Sequence, residues 1–276
     1  MWLAAALVTA LCFGTNFTIY KWGAAHGVPS TALQFFFHLT AFFLVLGAGL
    51  LTGSLQGPSL ATLIGLFMGC FNVTGNLLTT QAFARGPASL VSPLVAGNSM
   101  IPVLASALLF RESVTPVQWA GILLILSAVV LVQYRPEGGR ASGGAGWLGF
   151  VIAAMLCYGS VGILMKTATH LGCRMPDVLV ALYAGGTLTA APLLRREWVR
   201  PLAVKAGAVA GLLSSLGYAC YFYAVNTGIA SIVFPVVSLH CLVTMAGGFL
   251  LFAERLRRHQ LVGLAGALVG LVLTRL

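Results

Sequence analysis

Apolar residues run along this chain in blocks of transmembrane length, separated by short polar stretches, from one end to the other. A bilayer core takes roughly 20 helical residues to cross, so each block predicts a membrane-spanning helix. Ten spans are predicted, at approximately 2–20, 31–51, 60–83, 88–109, 116–134, 147–166, 177–194, 204–224, 230–251 and 260–276. The first block has no basic region before it and reads straight into Thr15-Asn16, so it is predicted to be a span and not a cleaved signal peptide. The longest polar stretch is central, Arg135-Pro136-Glu137-Gly138-Gly139-Arg140-Ala141-Ser142-Gly143-Gly144. Its Gly, Pro, Ser and charge mark a linker between five spans and five spans.

The two halves repeat one another. Shifted by 142 residues, Gly86-Pro87-Ala88-Ser89-Leu90-Val91-Ser92-Pro93 falls on Gly228-Ile229-Ala230-Ser231-Ile232-Val233-Phe234-Pro235. The same shift places Leu108-Leu109-Phe110-Arg111-Glu112 on Leu250-Leu251-Phe252-Ala253-Glu254, Gln118 on Gln260 and Gly121 on Gly263. The first spans align with a shift of 145, which brings Cys12-Phe13-Gly14 onto Cys157-Tyr158-Gly159 and Lys21 onto Lys166. Chance apolar similarity would not align Pro, Gly, Glu, Gln and Lys together. The predicted organisation is a first five-helix repeat over 1–134, a polar Gly-rich linker over 135–146 and a second five-helix repeat over 147–276. Five crossings per half give the halves opposite orientations, the inverted-repeat plan common among secondary transporters. The fold class is therefore an all-α polytopic membrane protein of ten transmembrane helices in two inverted five-helix repeats.

Composition supports a lipid-facing surface. Hydrophobic residues are 59% of the 276 and charged residues only 7%, where a soluble domain carries about 25% charged. The net charge of +10 reads as topology and not as nucleic-acid binding, because Lys and Arg cluster between the apolar blocks. Eleven of the fifteen basic residues fall in the odd-numbered connections (1–2, 3–4, 5–6, 7–8 and 9–10). The positive-inside rule then puts both termini outside the cytoplasm. The six cysteines show no metal-ligand spacing and read as small apolar residues.

The end of each half carries a resemblance. Ala88-Ser89 leads through an apolar helix to Glu112, a short turn and Gly121, and Ala230-Ser231 leads likewise to Glu254 and Gly263. With the ten-span duplication, the chain resembles an EamA-like ten-helix member of the drug/metabolite transporter superfamily. The resemblance implies a multi-pass transporter in a cell membrane, in a bacterium the inner membrane. It also implies cytoplasmic termini, against the charge count. Similar proteins often have a proline midway along the fourth helix, here Pro102, whose repeat mate is Thr244, so the halves are predicted to differ at that kink.

Transporters of this plan bind solute near the midplane between the repeats. The polar residues placed there are the candidate ligands. Asn98 and His240 are repeat mates at the centres of spans four and nine. Asn72, Asn76 and Thr79 share one face of span three, and Ser214, Tyr218 and Tyr221 hold the matching positions of span eight. Asn16 in span one and Tyr158 in span six complete the set. Helix–helix hydrogen bonding is the competing role for such residues. His240 is the candidate for proton or ion coupling. Pro93, Pro102 and Pro235 are candidate hinges. Glu112 and Glu254, each beside a basic residue, are candidate caps, interfacial pairs or gate contacts. Lys21 and Lys166 can snorkel to the headgroups or turn inward, where they would favour an anionic group.

All five carboxylates, Glu112, Glu137, Asp177, Glu197 and Glu254, lie at span ends or in loops. A cation carrier wants a counter-charge within the membrane, so a neutral, zwitterionic or weakly anionic solute fits better, such as an amino acid or a sugar-like compound. No nucleotide-binding loop is present. The expected function is secondary transport of a small polar organic metabolite by alternating access, with no enzymatic activity, no cofactor and no bound metal. The partners expected are the solute and the lipid bilayer, without nucleic acid, in a monomer or weak homodimer. The alternatives are an exporter of organic cations or drugs, held by aromatic faces, and a membrane-embedded lipid-handling protein.

Overall fold

A computed structural model describes residues 1–85, 91, 94–134, 146–252 and 258–274. Every regular element among them is helical. They are α1 (Trp2–Ala25), α2 (Ser30–Leu51), α3 (Leu60–Arg85), α4 (Met100–Leu108), α5 (Pro116–Gln133), α6 (Gly146–His170), α7 (Met175–Ala190), α8 (Pro201–Thr227), α9 (Ala230–Ser238), α10 (His240–Phe252) and α11 (Arg258–Leu273), with short 3₁₀ turns at Gly97–Ser99, Ala191–Leu193 and Arg196–Trp198. Helices α9 and α10 together make the ninth predicted span, and the other helices match the other spans. Most run a few residues past their predicted ends. The first extends to Ala25 and the eighth to Thr227. The N-terminal end of span four and residues 135–145 of the linker lie outside the described residues.

The ends of the helices follow from local sequence. Thr115 and Gln118 form a capping box at the start of α5, with Pro116 in its first turn. Pro176 and Pro201 take the same early position in α7 and α8. Gly27 and Gly172, repeat mates, follow α1 and α6 at φ of +70° and +66°. There the chain turns back, and the amides of Val28 and Cys173 bond the carbonyls of Gly23 and Ala168, each at 2.9 Å.

The halves interlock. Helix α3 of the first half packs against α6 and α7 of the second, and α8 of the second packs against α1 and α2 of the first. Helices α5 and α11 pair with each other. Small residues permit these contacts, as expected where lipid supplies no hydrophobic drive between helices. A Cβ at Gly207 would lie 2.5 Å from Phe36 Cβ, and one at Gly211 would lie 2.6 Å from the Phe37 carbonyl. Their mates Gly65 and Gly69 press in the same way on the backbone of α7. Gly121 meets the Gly270 carbonyl at 2.8 Å, and its mate Gly263 meets the Ala128 carbonyl at 3.1 Å, both measured to a Cβ built there. One set of contacts is thus made twice, with the halves exchanged.

The predicted difference between the halves at Pro102 is corrected by the structure. Span four changes to a 3₁₀ turn at Gly97–Ser99, and span nine breaks at Leu239. A shift of 142 superposes these two positions. Proline is therefore not the only cause. Pro102 sits in the first turn of α4, where its missing amide has no intrahelical partner to lose. In the second half the Thr244 hydroxyl bonds the carbonyls of His240 at 3.0 Å and Gly14 at 3.2 Å, which pins the break against α1.

Candidate functional site: a central cavity between the halves

A cavity of about 840 Å³ lies where the two broken spans meet α1, α3, α6 and α8. All eight candidate ligands, Asn16, Asn72, Asn76, Asn98, Tyr158, Tyr218, Tyr221 and His240, line it. So do Thr79, Ser214 and Pro102. Pro235 is buried inside α9 and does not reach the wall. Pro93 and Glu254 lie outside the described residues.

One hydrogen-bonded chain runs across the wall from α6 through α3 to α8. Tyr158 donates to Asn76 Oδ1 at 2.9 Å, Asn76 Nδ2 donates to the Asn72 carbonyl at 3.0 Å, and Asn72 Nδ2 donates to the Tyr218 hydroxyl at 3.0 Å. The i, i+4 spacing of Asn72 and Asn76 puts both on one face of α3. The chain joins elements of both halves, and it leaves Tyr218 its own proton to offer to the cavity.

An aromatic wall stands beside this chain. Phe13 and Tyr218 have ring centroids 4.9 Å apart, and Tyr221 meets Phe234 edge-on at 6.0 Å. His240 stacks on Phe17 at 4.9 Å. Two buried polar atoms on the wall, Asn16 Oδ1 and His240 Nδ1, have no hydrogen-bond partner among the described residues. Asn98 is partly committed, since its Nδ2 donates to the Val95 carbonyl at 2.7 Å. Ser99 and Ser238 bond each other across the junction of the two broken spans.

The cavity is uneven along its length. It reaches Lys21 and Gln260 at one end, but neither Lys166 nor Glu112, near the other, is on its wall. Lys166 is not a snorkelling residue. Its Nζ lies 2.6 Å from Glu112 Oε1, and both side chains are mostly buried. Glu112 pairs with this lysine and not with its chain neighbour Arg111, and it also accepts from the amides of Ala230 and Ser231 at 3.1 and 2.8 Å. Burial alone would raise its pKa, but Lys166 and the donors of Ser231 hold the carboxyl below its ordinary range. Arg111, at φ 51°, takes the left-handed turn that swings Glu112 under the helix end.

Phe13, Phe17, Tyr20, Ser99 and Ser238 also line the cavity and were not among the sequence candidates. Phe13 carried a signal, because it is the repeat mate of Tyr158. Among the described residues no carboxylate is on the wall, and no three His, Cys, Asp or Glu side chains gather as metal ligands.

No curated protein matches the sequence. A crystal structure of a protein 16% identical superposes with a TM-score of 0.80, covering 98% of this chain and 96% of that one, which shows the same fold. The model of the EamA-like transporter family matches residues 1–134 and again 145–276. The chain therefore belongs to the EamA-like transporter family, in the drug/metabolite transporter superfamily, whose members are membrane transporters and not enzymes.

Proposed function

We propose that this protein is a secondary transporter of a small polar organic solute, neutral, zwitterionic or weakly anionic, which it carries by alternating access through the central cavity. The observation that carries the reading is the wall itself. It combines an amide–phenol chain with aromatic rings, and among the described residues no carboxylate lines it. Asn16, Asn98, Tyr218 and His240 bind the polar groups of the solute. The clustered rings of Phe13, Tyr218 and Tyr221 cover its apolar part. His240 is the group for proton coupling, if coupling is used. The two repeats are the units that exchange conformations, in a bacterial inner membrane and as a monomer or weak homodimer.

The ring cluster favours a second reading, an organic cation held on the aromatic faces. One experiment separates the two. Purified protein is reconstituted in liposomes and counterflow is measured for labelled amino acids, sugars and quaternary amines. Saturable flux of a neutral or zwitterionic solute is expected. Flux of quaternary amines alone favours the second reading, and no saturable flux for any solute under gradients of either sign overturns both.

A further inference from the structure

We infer that His38, behind the cavity wall, is a proton-binding site that takes its proton on Nε2 and is linked to the solute site through Asn72. His38 lies within α2 and is completely buried. Its Nδ1 is 2.8 Å from the Gln34 carbonyl. A carbonyl oxygen only accepts, so Nδ1 carries the hydrogen and Nε2 of the neutral ring is a bare lone pair. That lone pair is buried without a hydrogen bond among the described residues. Gly186 of α7 makes room for the ring, since a Cβ there would fall 2.5 Å from Nε2. The Asn72 side chain of α3 faces the ring. Its Nδ2 is committed to the Tyr218 hydroxyl at 3.0 Å, while its Oδ1 takes only a 3.4 Å bond from Asn76. Asn72 Oδ1 can therefore accept from a protonated Nε2. Proton uptake from water forms the Nε2–H bond, and both ring N–H groups then have an acceptor, as a buried charge requires.

The duplication gives this site a neutral counterpart. His38 and Tyr183 are repeat mates at a shift of 145, and Asn72 and Ser214 at a shift of 142. The packing keeps that register, because Gly211 presses on the Phe37 carbonyl and its mate Gly69 on the Leu182 carbonyl. His38 and Tyr183 meet between the halves, with ring centroids 6.2 Å apart. Tyr183 donates to Ser214 Oγ at 3.2 Å, so the second half fills this place with a satisfied phenol. The first half holds an imidazole there, and of the two side chains only the imidazole changes charge near neutral pH. The other titratable groups around it are phenols: Tyr20 beside Gln34, Tyr183, and Tyr218 beyond Asn72. The charged residues of the helices packed on α2, Lys21, Arg85, Asp177 and Lys205, stand within about a turn of their helix ends. Asn72 and Tyr218 line the cavity, so a proton on His38 fixes the amide that orients this part of the wall. Under the transport reading, on which this last step rests, solute and proton each change the other's affinity by the same factor.

Nitrogen NMR of the full chain in lipid nanodiscs tests the site. The five histidines are isotope-labelled, and a bare imidazole nitrogen resonates well apart from an N–H. His38→Gln identifies the His38 signals by their loss, and His38→Phe, which keeps the ring shape, does so if the first variant folds poorly. At about pH 8 His38 should show an Nε2 without hydrogen. That nitrogen should become N–H reversibly on acidification to about pH 4, a span that brackets histidine titration in folded proteins. Asn72→Ser, which copies the residue of the second half, removes the acceptor and should move the midpoint to lower pH by at least about half a unit, roughly a threefold loss of proton affinity. Tyr218→Phe should move it the same way, because the wall no longer holds the Asn72 amide in place. A ring that stays bare at Nε2 down to about pH 4, that carries its hydrogen on Nε2 at about pH 8, or that titrates at an unchanged midpoint in both wall variants overturns the proton site and its link. The titration uses no solute, so such a result leaves the transport reading standing, and absence of counterflow would leave the titration standing.

Discussion

Asn16 is 5% exposed, and its Oδ1 is buried on the cavity wall without a partner among the described residues. A buried oxygen in that state costs about 1–3 kcal/mol. A solute N–H or O–H reaching it recovers that cost. Asn16→Leu should therefore leave the thermal stability of the solute-free protein equal or higher, while solute affinity falls by about 5- to 150-fold, the equivalent of ~1–3 kcal/mol. Melting in detergent and equilibrium binding read the two effects separately, and a parallel loss of both would make Asn16 a packing residue. Glu112 gives a pH signature. Its folded pKa is depressed, so the stability it adds is complete above the ordinary carboxylate range and is lost as pH falls through the folded value. The melting temperature gap between wild type and Glu112→Gln should hold steady from pH 7 to about 5 and close at lower pH. A constant gap down to pH 3 would contradict this. The residues with midspan polarity were readable because amides and phenols are rare in lipid-length blocks. Phe13, Phe17 and Tyr20 were not, because an aromatic ring in such a block faces lipid, a neighbour or a cavity with the same composition.

At the level of helices, the glycines of α3 and α8 set how closely the halves approach. A Cβ at Gly69 would strike the backbone of α7, and one at Gly211 that of α2, whereas one at Gly149 in α6 meets nothing within 4 Å. Gly69→Ala and Gly211→Ala should each destabilise the protein by about 1–3 kcal/mol through overpacking. Gly149→Ala should be neutral or stabilise by roughly 0.5–1 kcal/mol, since alanine is the better helix former. Unfolding midpoints in mixed micelles give the comparison, and a Gly69→Ala protein as stable as wild type would show that α3 and α7 part easily. The ten spans, the duplication and the halves' five-and-five division all stood in the sequence, because lipid demands long apolar blocks. The interlocking did not. Helices next to each other in sequence were free to pack as neighbours, yet α3 lies against α6 and α7. The signal for it was present in Gly65-x-x-x-Gly69 and its mate Gly207-x-x-x-Gly211, a spacing that marks close helix crossings. The equal breaks at Gly97–Ser99 and Leu239 were hidden for a different reason. Only one half carries a proline there, so the sequence pointed to a difference where the packing against α1 and α6 enforces sameness.

For the molecule as a whole, charge and cavity point the same way. The face with Lys21 and Gln260, toward which the cavity extends, also carries eleven of the fifteen basic residues. Lys and Arg are retained on the cytoplasmic side during insertion, so this face is expected in the cytoplasm. Both termini then lie outside, in contrast to the cytoplasmic termini usual for similar proteins. Most of the bias sits in the second half, at Arg195, Arg196, Arg200, Lys205, Arg255, Arg257 and Arg258. The first half votes the same way more weakly, with Lys21 and Arg85 against Arg111. A green fluorescent protein fused after residue 276 should stay dark in a bacterium that exports it unfolded, and alkaline phosphatase fused there should be active. Replacing Arg195, Arg196 and Arg200 with glutamine should reduce that phosphatase activity, because it narrows the excess of basic residues on that face. A bright fluorescent fusion with inactive phosphatase would instead place the basic face outside.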